Sequence, residues 1–182
     1  MKNKWEKKKI GEILRLEYGK PLPMNRRNSE GKYPVYGSNG VMTFSNEFYY
    51  DQKSIIVGRK GSAGELTLTK PKFWPLDVTY FVVYNKDDYD LEFLYYLLSV
   101  QQLSKLAKGV KPGINRNDVY AIDVCVPPLS EQRRIVEKLD QAFEMIDDAI
   151  NKTQKKIVEL EELRQSFLDR ELKEKKVGED YE

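Results

Sequence analysis

The sequence predicts an α+β protein: a strand-rich globular domain followed by one long C-terminal helix. Three observations carry that prediction. From Ser130 to about Lys173 there is neither Gly nor Pro, and apolar residues recur there in steps of three and four. Before it lie short runs of β-branched and aromatic residues broken by Gly, Pro and Asn, the composition of strands and turns. Between the two stands Pro127-Pro128, which ends a strand because neither proline can donate to a ladder.

The helix is the clearest element. Its apolar stripe runs Ile135, Leu139, Ala142/Phe143, Ile146, Ala149/Ile150, Ile157, Leu160, Leu163 and Phe167/Leu168. That spacing is a coiled-coil seam, with Ile135, Leu139, Phe143, Ile146, Ile150, Ile157, Leu160 and Phe167 as its residues. About 44 residues at 1.5 Å each make a rod of roughly 65 Å, too long for its own domain to cover. A partner helix is therefore expected. Ser130 is the expected N-cap, and Glu131 favours the positive end of the helix dipole. The organisation expected is a domain over residues 1–129, a dimerisation and spacer helix over 130–173, and a charged flexible tail over 174–182.

Within the domain, Trp5 to about Tyr18 reads as a short amphipathic start burying Ile10, Ile13, Leu14 and Leu16. Tyr33–Tyr36 and Val41–Phe44 flank Asn39-Gly40, a dipeptide suited to a tight hairpin. Further strands are expected at Ser54–Val57, Glu65–Thr69, Val78–Tyr84 and Tyr120–Val126, with one helix over Leu91–Ala107. No internal repeat is visible in the 182 residues.

Composition narrows the chemistry. Mean hydropathy is −0.65 and a third of residues are charged, so no membrane span is expected; the N-terminus also lacks the apolar core of a signal peptide. A single cysteine, Cys125, points to a reducing cytoplasm. The chain has no histidine, which removes the usual neutral-pH base and the commonest metal ligand. Zinc sites and Ser-His or Cys-His catalysis are accordingly not expected. Val126-Pro127-Pro128-Leu129 lacks the acid or amide and the aromatic of a base-methyltransferase motif. Glu65-Leu66-Thr67 and Glu47-Phe48-Tyr49 lack the lysine of a metal-dependent nuclease.

Charge is uneven. Residues 1–129 carry 20 Lys/Arg against 14 Asp/Glu, whereas residues 130–182 carry 11 against 15. Any polyanion contact therefore belongs to the first domain. Gly58-Arg59-Lys60-Gly61-Ser62-Ala63-Gly64 follows an apolar strand and can expose amides beside two cations; it reads equally as a plain strand connection. Tyr36-Gly37-Ser38-Asn39-Gly40 offers polar tips for base edges, though Asn-Gly needs only a turn to explain it. Lys105, Lys108, Lys111 and Arg116 gather around a second glycine-bearing loop, and Arg26-Arg27 form a smaller cluster. The residues taken as DNA-facing are Tyr36, Ser38, Asn39, Arg59, Lys60, Lys108, Lys111 and Arg116.

Several strings together resemble the DNA-specificity subunits of type I restriction-modification systems. They are Ile10-Gly11-Glu12-Ile13, Tyr33-Pro34-Val35-Tyr36-Gly37-Ser38-Asn39-Gly40, Ile55 through Gly64, Phe73-Trp74-Pro75-Leu76-Asp77-Val78-Thr79-Tyr80, and Ile122 through Val136 with its Pro-Leu-x-Glu-Gln helix start. A full subunit of that family carries two target-recognition domains, each followed by a long helix; this chain has one of each and resembles a half-subunit. The resemblance implies a target-recognition domain over 1–129 that reads one half of a bipartite site on double-stranded DNA. It also implies a homodimer through an antiparallel helix pair, and docked methyltransferase subunits that carry S-adenosylmethionine, with a restriction subunit as a further partner. A palindromic target would follow from the two-fold axis. The competing expectation is a protein-interaction scaffold assembled by the coiled coil, without DNA binding; 12 tyrosines suit such a surface too.

Overall fold

The computed structural model describes residues 5–173. In chain order its elements are β1 (Glu6–Lys9), α1 (Ile10–Ile13), β2 (Leu14–Tyr18), β3 (Tyr33–Gly37), β4 (Gly40–Ser45), β5 (Ile55–Gly58) and β6 (Leu66–Leu68). They continue with β7 (Trp74–Pro75), β8 (Thr79–Tyr84), α2 (Leu91–Ser99), α3 (Arg116–Tyr120), β9 (Asp123–Val126) and α4 (Leu129–Lys173). The chain divides into two compact units, one ending at Val136 and one beginning at Glu137. Residues 174–182, expected as a flexible tail, lie outside the described residues.

The first unit is built on an antiparallel sheet in the order β2-β8-β5-β6. All four residues of β5 are buried, as its unbroken Ile-Ile-Val-Gly run requires of a central strand. On one side of this sheet, Ile10, Leu16, Ile55, Val57 and Val82 join Leu94, Leu98, Leu103 and Val119 in the main core. A second sheet, in the order β4-β3-β7, encloses an aromatic cluster with the first. Tyr36 and Phe73 meet edge-to-face at 5.5 Å there, beside Ile56 and Phe81. A small sheet of β1 and β9 ties the start of the chain to the end of the domain, Lys7 opposite Cys125.

The structure departs from expectation in four places. Trp5–Tyr18 is not one amphipathic element but two strands joined by a single helical turn, α1, which the Glu12 carboxylate closes by accepting the Lys9 N–H at 3.0 Å. Ile10, Ile13, Leu14 and Leu16 are buried as expected, because the turn hands the apolar pattern from β1 to β2. The helix expected over Leu91–Ala107 stops at Ser99, and Leu103–Leu106 form a separate 3-10 turn. Nine residues at 100° would set Leu103 half a turn away from Leu94 on a continuous helix. The break, with Gln102 at φ 52°, returns Leu103 to the core at 2% exposure.

α3 occupies residues expected as loop and strand. Asn115 caps it, its side-chain oxygen accepting from the Asn117 N–H at 2.9 Å. Finally, α4 begins at Leu129, and the Pro128 carbonyl accepts from the N–H groups of Glu131 and Gln132 at 2.9 and 3.0 Å. Ser130 lies inside the first turn rather than capping it.

α4 is unbroken over 45 residues. Its start belongs to the first unit: Gln132 is buried at 1% exposure, and Ile135 and Val136 pack on the main core. Ile135 therefore covers its own domain instead of opening a seam. In the second unit Ile146, Ile150, Ile157, Leu160 and Phe167 are each between 44 and 63% exposed, so that stretch of helix leaves its apolar stripe in solvent. Leu139 is half-buried, and Phe143 is 45% exposed.

Candidate nucleic-acid interface

Register brings distant side chains into one row. Tyr80 on β8 pairs with Tyr18 on β2 and with Val57 on β5, so the ends of three strands stand side by side. The chain leaves β5 through Gly58 and presents Arg59 next to that row. A Cβ on Gly58 would stand 2.0 Å from the Ser62 carbonyl oxygen and 2.8 Å from that of Ser38, so only glycine lets the two loops approach. The β3–β4 hairpin turns at Gly40, whose φ of 96° suits glycine and whose neighbours Ser38 and Asn39 form the tip.

The third loop is laced to the second through the backbone. Lys108 and Gly113 exchange hydrogen bonds at 3.0 and 3.1 Å, closing a tight turn that carries Val110 and Lys111. The Gly61 N–H donates to the Pro112 carbonyl at 3.0 Å, and the Ile114 N–H to the Arg59 carbonyl at 3.0 Å. Lys60 bridges Gly113. Ser38, Asn39, Arg59, Lys60, Lys108 and Lys111 thus stand on three loops that touch one another, with Arg116 following as the first residue of α3, although up to 78 residues separate them in sequence.

Arg59 is the most constrained of these. Its Nε and Nη2 donate to the Asp77 carbonyl at 3.1 and 2.7 Å, and its guanidinium lies 5.4 Å from the Tyr18 ring and 5.9 Å from the Tyr80 ring. Arg116 reaches the same Tyr18 ring at 5.1 Å. Burial pushes the Tyr80 hydroxyl above the usual tyrosine range, with its Tyr18 neighbour adding to the shift and the Arg59 charge opposing it. That hydroxyl stays protonated and donates to the Ile114 carbonyl at 3.2 Å, binding strand to loop. Lys108 pairs with Asp118 at 3.1 Å in an exposed bridge that an anion can displace cheaply.

Tyr36 does not belong with them. It is 4% exposed, its hydroxyl accepts from the Lys70 N–H at 3.4 Å, and burial raises its pKa. The cause is that β3 is covered on both faces: Val35 packs with Leu22 and Leu76, Tyr36 with Phe73 and Phe81. Tyr36→Phe should leave DNA binding unchanged and lower stability by about 1 kcal/mol, the worth of one hydrogen bond, measured by urea unfolding and fluorescence anisotropy.

Tyr18 and Lys20 were not legible as site residues. Tyr18 is 47% exposed between two arginines that lie 41 and 98 positions away. Only the Leu14-Arg15-Leu16-Glu17-Tyr18 alternation, read as a strand, would have signalled an outward tyrosine. Among the described residues no group of three or more side chains could hold a metal ion, and no helix is long and apolar enough to cross a membrane.

Residues 2–162 match the type I restriction modification DNA specificity domain. The chain belongs to that family. Within it, the chain is similar to the Escherichia coli type I restriction enzyme EcoDI specificity subunit, 29% identical over 146 residues covering 79% of this chain and 32% of that one. It is also similar to the E. coli EcoprrI specificity subunit, 23% identical over 80% of this chain and 37% of the relative. The chain thus spans about a third of the length of the curated relatives it matches. The fold is shared with the S subunit from M. genitalium at a TM-score of 0.71, 24% identity, covering 81% of this chain and 41% of that one. A chain from a type I R-M system solved for its complex assembly and conformational transition gives 0.75 at 20% identity, covering 91% and 45%. This specificity-domain fold is the α+β arrangement described above, strand-rich sheets plus a long C-terminal helix.

Proposed function

We propose that the chain is a non-catalytic DNA-reading module of a type I restriction-modification complex, each copy reading one half of a bipartite target and pairing through α4 with a second copy. One observation carries the reading half: the loops that follow β5 and precede α3 are laced together through the backbone, the β3–β4 hairpin tip packs against them at Gly58, and Arg59 is held among them by the Asp77 carbonyl. Six of the eight residues taken as DNA-facing stand on those loops, and Arg116 opens α3 directly after the third. Lys60, Lys111 and Arg116 supply charge for phosphates, which set register; Ser38 and Asn39 suit base edges. Arg59 has its Nη1–Nη2 edge uncommitted by the Asp77 carbonyl and can offer two parallel donors to one acceptor pair.

Chemistry then falls to partners. Methyltransferase subunits would dock on the assembly and carry S-adenosylmethionine, a restriction subunit would join them, and the complex would act in the cytoplasm. Family membership and the family's named relatives support the subunit partners of this reading.

The test is methylation mapping in cells that carry the chain with its cognate methyltransferase. A split, palindromic motif is expected; methylation without sequence preference ends the proposal. On the duplex so identified, Arg59→Gln should cost about 1.5–3 kcal/mol, the worth of charge-assisted hydrogen bonds to a phosphate, a loss of roughly tenfold to a hundredfold read by anisotropy with the partner present. The scaffold reading draws support from the exposed aromatic surface of Phe44, Phe48 and Tyr49. Salt separates the two: affinity for DNA should fall steeply with log salt because releasing bound counterions into more concentrated salt gains less entropy, whereas a protein–protein contact would respond weakly.

A further inference from the structure

Two residues past Tyr18, where the chain leaves β2, a second cation is held on an aromatic ring. Gly19 donates its N–H to the Thr79 carbonyl at 3.1 Å, and Lys20 donates its own to the Pro75 carbonyl at 2.9 Å. The Lys20 carbonyl accepts from the Trp74 indole N–H at 2.9 Å. Both backbone groups of Lys20 are therefore fixed, and its ammonium sits 4.7 Å from the centre of the Tyr49 ring. Tyr49 is braced in turn by Trp74, ring centres 5.8 Å apart. The result repeats the Arg116–Tyr18–Arg59 arrangement one step along: a cation held on an exposed aromatic face. None of Lys20, Arg59 and Arg116 forms a salt bridge with a carboxylate among the described residues, so none is neutralised locally.

The geometry points to Lys20, Arg59 and Arg116 as one track for a phosphodiester backbone, with Tyr18 and Tyr49 as positioning residues that aim the cations. This rests on the DNA-reading function proposed above and extends it to Lys20, Tyr18 and Tyr49. A free lysine or arginine loses much rotamer freedom when it grips a phosphate. Holding the charged head on a π face beforehand lowers that cost while leaving its outward hydrogens available. Because phosphates repeat along any duplex, this contribution is independent of sequence. It sets how strongly the module holds DNA, and the hairpin and loop tips set which DNA it holds.

The experiment uses the chain with its methyltransferase partner, the mapped target duplex and a scrambled duplex of equal length, across a salt series. Lys20→Gln should weaken binding to both duplexes by the same factor, about fivefold, and lower the magnitude of the log–log salt slope by about 0.9, one phosphate's worth. Tyr49→Leu removes no charge yet should lower the slope similarly, while Tyr49→Phe, which keeps the ring face, should match the wild type. In the Lys20→Gln background, Tyr49→Leu should add nothing further. An unchanged slope for Lys20→Gln, a loss confined to the target duplex, or full additivity of the pair would overturn the track. In each of those cases a wild-type complex that still prefers its target leaves the DNA-reading function standing, whereas a wild type without preference removes that function itself.

Discussion

Gln132→Leu should lower the stability of the first unit by about 3 kcal/mol, from the unmet hydrogen bonds it leaves behind. The side-chain oxygen of Gln132 accepts the Asp90 N–H at 2.9 Å, and its amide nitrogen donates to the carbonyls of Asp88 at 3.1 Å and Pro127 at 2.9 Å. Leucine has nearly the same volume, so packing is kept and the polar loss is isolated. The Asp90 N–H and the Pro127 carbonyl then lose their Gln132 partner, at about 1–3 kcal/mol each, and the Asp88 carbonyl, nearer solvent, costs less. The effect spreads because Asp90 is itself the N-cap of α2, its carboxylate accepting from the Phe93 N–H at 3.0 Å. Thermal unfolding should show a fall of roughly 10 °C at this size. Hydrogen exchange should show lost protection at Asp90 and Phe93. A variant that melts with the wild type would mean that Gln132 is incidental to the junction between domain and helix.

Gln132 also shows what the chain declares openly. It sits in Pro128-Leu129-Ser130-Glu131-Gln132, a string specific enough to point to the family, yet nothing in the string reveals two hydrogen bonds to a loop more than 40 residues upstream. The long helix was legible because its signal is local, an unbroken 3.6-residue rhythm free of Gly and Pro. The strands β5, β6 and β8 were legible from an equally local signal, short runs rich in β-branched and aromatic residues. Leu103 falls within the helix the leucine pattern predicts over Leu91–Ala107, but the left-handed Gln102 resets the phase and returns it to the core in a separate turn. Tyr36 reads in sequence as part of the hairpin's polar tip, but both faces of β3 are covered and its ring packs with Phe73 and Phe81. Tyr18 and Lys20 gain their meaning only from the β2-β8-β5 order, which no local pattern encodes. Binding loops were recognisable by glycine and charge, but which side chains those loops hold in place was settled by register.

The proposed pairing of α4 makes the other large prediction: Ile146→Asp and Leu160→Asp should each abolish self-association at micromolar concentration. On a helix at 100° per residue, Ile146, Ile150, Ile157 and Leu160 fall within about 80° of one another, and all four stand half-exposed. Burying an isoleucine or leucine side chain contributes about 1.5–3 kcal/mol. In a homodimer each substitution is counted twice, so the lost burial alone reaches roughly 3–6 kcal/mol, two to four decades in Kd. The carboxylate adds desolvation with no cation assigned to meet it. Lys155 lies nine residues from Ile146 and therefore half a turn around; Lys155→Asp changes charge by twice as much yet should leave the assembly intact. Sedimentation velocity reads all three. If Ile146→Asp and Leu160→Asp sediment as dimers, the stripe is not the interface between copies. If the wild type is a monomer until another helix is supplied, the second strand of the pair comes from elsewhere, and the palindromic target falls with the two-fold axis that required it.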